Sequence, residues 1–312
     1  MYDKLVIVTR RTRLAELIER FNTRGQAKFY IEHAGGDFTT YEAEHDTYEG
    51  VLAQLQRELE LGLPRQLLDR SLLPTYVFGE RDLVITVGQD GLVANTAKYV
   101  GAQPIVAVNP DPQRIDGILL TFTAGQVRGV VETTLAGRAA TRAVTLAETV
   151  LSDGQRLLAF NDFFIGARSH VSARYRLRVG ERSEPHSSSG VLVSTGAGST
   201  GWISSVFNMA AGVTAFSGGN PGTALGMAWE DPRLLFAVRE PFVSRQSTAS
   251  LVAGWIEAGG ELVLESLMPA GGVIFSDGVE TDFLRFESGA TAHVRAAEQR
   301  ARLVVSPGKG KR

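Results

Sequence analysis

Apolar positions in the first third of the chain alternate between two rhythms. Leu5-Val6-Ile7-Val8-Thr9 is a continuous run of buried-strand length. Leu14, Leu17, Ile18 and Phe21 then recur at the i, i+3, i+4, i+7 spacing of one helix face. Phe29-Tyr30-Ile31 reads as a second strand. Val51, Leu52, Leu55 and Leu59 stripe another helix, with Asp46 or Thr47 as its N-cap. The clearest unit follows. Asp82 to Val87 is a strand, Gly88-Gln89-Asp90-Gly91 a turn, Leu92 to Val100 a helix, and Pro104 to Val108 the next strand. Strand, helix and strand at this spacing predict a parallel α/β sheet.

After about residue 120 the pattern changes to short period-two runs separated by Gly, Asp and Asn. Val127 to Thr133, Arg142 to Val150, Val171 to Val179, Leu234 to Val238, Glu261 to Leu267 and Gly272 to Phe275 all read as strands. A single helix, starting near Ser199 and running through Trp202, Val206 and Met209, interrupts them. Residues 211–230, rich in Gly, Ala and Ser, read as a loop, and Ser306 to Arg312 as a frayed basic tail. The predicted organisation is an N-terminal α/β domain over 1–119, a β-rich domain over 120–285, and a segment 286–312 that returns to the first.

Composition narrows the class. The 312 residues are 44% hydrophobic and 21% charged, the balance of a folded globular chain. The 32 Lys and Arg against 34 Asp and Glu give a formal net charge of −2, without the basic excess of a nucleic-acid or anionic-membrane binder. No apolar run approaches the roughly 20 residues of a membrane span, and no secretory signal or arginine-rich transit segment opens the sequence. Zero cysteines exclude disulfides and thiolate chemistry and fit a reducing cytoplasm. The five histidines lack HxH or HExxH spacing, so no metal-ligating residue is assigned. GxxxxGK[ST] and GxSxG are also missing.

Three segments carry candidate chemistry. Gly88-Gln89-Asp90-Gly91 ends a predicted parallel strand and opens a helix, where backbone N–H groups approach phosphate and open α/β sheets bind ligands. A carboxylate there repels an anion but suits a base for a hydroxyl or a partner for Mg²⁺; the plain alternative is Asp90 capping the helix. Thr195-Gly196-Ala197-Gly198-Ser199-Thr200-Gly201 contains a literal GxGxxG between strand and helix. It lacks the acidic residue about 20 positions on that a Rossmann dinucleotide site uses, the first being Glu230. Asn161-Asp162 interrupts an apolar stretch, either as a turn or as ligand-facing polar groups. Arg174, Arg176 and Arg178 share one strand face, either solvated or turned to phosphate.

In order and spacing these segments resemble the NAD kinase family, over roughly residues 80–280. Its GGDG turn looks like Gly88 to Gly91, its Asn-Glu pair like Asn161-Asp162, and its TPTGSTAY segment like Thr195 to Trp202. Ser244-Arg245 and Asp277-Gly278 are similar to later family elements. The departures are Gln89 for the second glycine, Asp162 for Glu, Ser188-Ser189-Gly190 for Gly-Asp-Gly, and Trp202 for Tyr; they look most like the divergent branch typified by mitochondrial NAD kinases. The resemblance implies a two-domain fold and an ATP-dependent kinase, with Mg²⁺ arriving with ATP, that phosphorylates the 2′-hydroxyl of the adenosine ribose of NAD(H). It implies Asp90 as catalytic base. It implies nucleotide binding by Gly88, Gly91, Asn161, Asp162, Ser189, Thr195, Ser199, Thr200, Gly201, Trp202 and Ser205, with Trp202 a surface for a base. It also implies a homodimer or higher homo-oligomer. Another kinase of the diacylglycerol, sphingolipid and NAD kinase superfamily, or a non-catalytic NAD(P)-binding sensor, are the alternatives.

Overall fold

The computed structural model describes residues 2–222 and 226–306, and these divide into two units: Met1–Arg142 with Arg302–Arg312, and Ala143–Ala301.

In the first unit the elements are β1 (Lys4–Thr9), α1 (Arg13–Phe21), α2 (Arg24–His33), α3 (Phe38–Glu58), β2 (Arg65–Asp69), β3 (Asp82–Val87), α4 (Asp90–Ala97), β4 (Pro104–Asn109), β5 (Phe122–Thr123) and α5 (Val127–Leu135). The strands pair in the order β2-β1-β3-β4-β5, all parallel. Leu5, Ile7, Leu83, Ile85, Val87, Val106 and Val108 form its core with Tyr48, Leu55 and Leu59 of α3 and Val127 and Val131 of α5. Strands buried on both faces explain the unbroken apolar runs.

Three expectations fail here. Phe29-Tyr30-Ile31 belongs to α2, because Ala27 and Ile31, one helical turn apart, pack against Leu14 and Phe38 while Phe29 stays exposed. α3 begins at Phe38 rather than near residue 47: Asp37 accepts the Thr39 amide at 2.9 Å, an N-cap that the polar first half of the helix conceals. Val127 to Thr133 is helical, since Val127, Val131 and Thr134 are buried at i, i+4, i+7.

The second unit contains β6 (Thr141–Leu151), β7 (Arg156–Ala159), β8 (Asp162–Ala167), β9 (Ala173–Val179), β10 (Arg182–Ser188), β11 (Val191–Ser194), α6 (Trp202–Phe216), β12 (Leu234–Val238), β13 (Ala253–Ile256), β14 (Leu262–Ser266), β15 (Gly272–Ser276), β16 (Val279–Arg285) and β17 (Thr291–Val304). One antiparallel sheet runs β13-β12-β11-β8-β15-β16, and a second set pairs β10-β9-β14-β17. Side-chain alternation sends Phe163 and Ile165 of β8 into the main core with Tyr175, Leu177, Val193 and Phe236, and Phe164 to the opposite face with Ile203 of α6. The final strand ends in the first unit, where Arg302 and Leu303 pair parallel with Pro104 and Ile105.

Arg174, Arg176 and Arg178 lie on the solvated face of β9. The helix near Ser199 extends through Phe216, so residues 211–216 of the expected loop are helical. Residues 223–225 of that loop and 307–312 of the expected tail lie outside the described residues.

Candidate functional site

In the first unit, Gly88 closes β3 and Asp90 opens α4. Gln89 is the N-cap residue at φ −101° and ψ 168°, with no side-chain capping bond. This extended conformation suits any residue, so replacing a glycine with Gln89 costs no backbone strain. Asp90 does not cap the helix. Its carboxylate oxygens accept the backbone N–H groups of Ile118 and Leu119, each at 2.9 Å, which fixes the group at the carboxyl edge of the parallel sheet and leaves lone pairs for a further donor. A side chain at buried Gly88 would press on Leu92, whereas Gly91 faces open space.

A cavity of about 290 Å³ opens beside this turn, lined by Arg10, Arg13, Tyr48, Gln89, Asp111 and Arg114 among others. Arg10 donates to Glu44 at 3.0 Å and lies over the Tyr48 ring, and Arg13 pairs with the same carboxylate at 2.7 Å. These two arginines hold Glu44 below the usual carboxylate range against the opposing effect of its burial. Tyr48 accepts from the Arg10 amide and donates to the Val87 carbonyl, both at 2.9 Å; burial pushes its hydroxyl up to about 12, so it stays protonated. Three guanidiniums against Glu44 and Asp111 leave a cationic excess where strands β1, β3 and β4 end. The sequence reading missed this set. Its signal was the basic Arg10-Arg11-Thr12-Arg13 directly after the first apolar run.

In the second unit, Asp277 organises the Asn161-Asp162 pair. Its carboxylate accepts the amides of Phe160, Asn161 and Asp162 at 3.0, 2.6 and 3.3 Å, and its own N–H donates to the Asp162 carbonyl. Asp277 sits at φ 53°, a left-handed position that Asp tolerates and that precedes Gly278. Asp162 opens β8 and is buried, and among the described residues no donor reaches its carboxylate. Burial first, and the Asp277 carboxylate second, push its acid up to about 7. By strand alternation it shares a sheet face with Phe164, whose ring stacks on Trp202 at 5.8 Å and 7°.

The glycine-rich segment locks against this pair. A Cβ at Gly196 would overlap the Ala228 carbonyl, and one at Gly198 the Asn161 carbonyl. The Asn161 carbonyl accepts the Thr195 amide at 2.9 Å, Thr195 Oγ1 donates to Phe160 O at 2.6 Å, and Ser199 Oγ donates to Gly196 O at 2.7 Å. Thr195 and Ser199 therefore spend their hydroxyl protons shaping the loop. Thr200, Gly201 and Ser205 are exposed, and Trp202 is half-buried at the start of α6. Trp202 and exposed Ser189 line a cleft of about 670 Å³ with Phe164, Phe275, Arg168 and Arg239. Arg239 lies 5.3 Å over the Trp202 ring, a cation–π pair. Ser244-Arg245 forms a separate tight loop closed by the Ser244–Ser247 bonds.

Taken unit by unit, a parallel α/β layer with an Asp at a strand end and an antiparallel β unit with a glycine-locked loop define an NAD kinase-like two-domain fold. It is similar to the crystal structure of an NAD kinase from Archaeoglobus fulgidus in complex with ATP, at a TM-score of 0.55 and 16% identity over 97% of this chain and 94% of that one. It is similar also to yeast NADH kinase complexed with NADH, at a TM-score of 0.58 and 15% identity over 98% of this chain and 84% of that one. No protein-family model and no curated protein matches the sequence.

Proposed function

We propose that this chain is a kinase that transfers the γ-phosphoryl group of ATP to the 2′-hydroxyl of the adenosine ribose of NAD or NADH. The observation that carries the reading is Asp90: a carboxylate fixed by two amides at the end of a central parallel strand, one residue from an arginine-lined cavity, on a fold shared with kinases named for NAD and NADH. Phosphoryl transfer through a loose transition state needs positioning and charge neutralisation more than a strong base. Arg10, Arg13 and Arg114 supply the charge for the donor phosphates, and Asp90 accepts the hydroxyl proton late in the transfer. Asn161 and Asp162 hold the dinucleotide, with Trp202 offering a ring to a base.

Among the described residues no group of three or more His, Asp or Glu has a metal-binding arrangement. Mg²⁺ arrives with ATP, held by the donor's own phosphates and water. Unstrained Gln89 favours a working turn over a retired sensor.

Thermal shift with NAD, NADH, NADP, ATP and diacylglycerol, followed by product assay, tests the reading. Stabilisation by dinucleotide and ATP together with NADP(H) formation is expected; stabilisation without product would return the sensor, and a response confined to diacylglycerol the lipid kinase. The same reading extends to a two-fold homodimer. Light scattering at micromolar concentration should then give twice the 33.6 kDa chain mass, and a value at the chain mass would contradict it.

A further inference from the structure

The parallel strands of the first unit have another edge, where β1, β3 and β4 begin. Tyr2, just before β1, Tyr76 and Phe78, before β3, and Tyr99, before β4, converge there on a cleft of about 920 Å³. All four rings are half-buried, and the Tyr76 and Phe78 rings meet edge-on at 4.8 Å. Packed, partly uncovered aromatic rings with a few polar groups among them are the composition of a small-molecule site.

The decisive polar group is Gln103, which lines this cleft and is 8% exposed. Its Nε2 donates to the Gly79 carbonyl at 2.7 Å. A carbonyl only accepts, so the amide cannot be turned over, and Oε1 is fixed as an acceptor. That oxygen is buried and has no hydrogen-bond partner among the described residues. An unmet buried acceptor is costly, and a ligand donor would satisfy it. Gly101 lies beside it: a Cβ there would lie 2.9 Å from Oε1. The charges complete the requirement. Arg81 is paired with Asp3 at 2.8 Å and Lys4 with Asp82 at 3.5 Å. Arg302, exposed and lining the cleft, has no carboxylate partner among the described residues; exposed Glu80 stands at the rim.

We propose that this cleft is a nucleotide site separate from the strand-end turn, taking a purine mononucleotide. The base stacks on the tyrosine rings, a ring or exocyclic N–H donates to Gln103 Oε1, and the phosphate meets Arg302. The proposal does not depend on the kinase reading, because it uses no residue of that site.

Calorimetric titration with AMP and with adenosine tests it. AMP should still bind the Asp162→Asn variant, in which the dinucleotide residues are disabled. Gly101→Ala, whose Cβ would press on Oε1, and Gln103→Leu, which removes it, should each weaken binding about tenfold, the loss of one neutral hydrogen bond. Arg302→Gln should abolish the preference for AMP over adenosine. Absence of AMP binding up to millimolar concentration would overturn the proposal and leave Oε1 to an ordered water. So would binding that Asp162→Asn weakens and Gly101→Ala does not, which would assign AMP to the dinucleotide residues instead.

Discussion

The glycine-rich segments of the two units look alike in sequence and behave differently in space. In Gly88-Gln89-Asp90-Gly91, Gly91 faces open space and Gln89 has an ordinary extended backbone, so these two positions tolerate side chains, and what the turn presents is the Asp90 carboxylate beside the arginine-lined cavity. In Thr195 to Gly201, Gly196 and Gly198 lie directly against the carbonyls of Ala228 and Asn161, and the hydroxyls of Thr195 and Ser199 are consumed within the loop. The first segment is an adaptable edge that presents a carboxylate. The second is a rigid backbone clamp that positions Asn161 and Asp162. A glycine motif is thus informative about function only when the neighbour it admits is known.

The largest effect that separates the two is expected at Gly198. Gly198→Ala forces a methyl into the Asn161 carbonyl and should destabilise the second unit by on the order of 3 kcal/mol, read from the denaturant midpoint. A variant as stable as wild type would dissolve the distinction.

Next in size is a pH effect confined to the second unit. The Asp162 acid, pushed up to about 7, keeps its proton in the folded chain across a range where an unfolded aspartate, with a pKa near 4, has lost it. The folded state therefore binds more protons between those limits, and stability falls as pH rises through them. Asp162→Asn removes this term. Its stability relative to wild type should increase from pH 5 to pH 7, by at most about 1.4 kcal/mol per unit. Parallel stability curves would show that the carboxyl is not perturbed.

The smallest effect belongs to Gly91, in the first turn of α4. Gly91→Ala should be neutral or stabilising by up to about 1 kcal/mol, the helix-propensity gain of alanine over glycine. A loss comparable to that of Gly198→Ala would mean that both loops are clamps.

The same contrast explains what was legible in the sequence. Strands β1, β3 and β4 and the helix between the last two were readable because strands buried on both faces are unbroken apolar runs. Asp90 and the Asn161-Asp162 pair stood out as polar residues at the ends of such runs. Elements that depend on tertiary partners were not readable. Phe29-Tyr30-Ile31 has strand composition, yet only Ile31 of the three is buried, and on helical spacing with Ala27. The role of Asp277 needed three amides more than a hundred positions away, and the arginine cavity needed the ends of three strands brought side by side. Neither leaves a local signature.

The central claim is a division of labour: Asp90 serves the transfer and Asp162 holds the dinucleotide. Steady-state kinetics of NADP formation by Asp90→Asn and Asp162→Asn tests it most directly. Asp90→Asn should lower kcat by several orders of magnitude with dinucleotide affinity kept within about tenfold, whereas Asp162→Asn should act mainly by raising KM for the dinucleotide. Near wild-type turnover in Asp90→Asn would contradict the account.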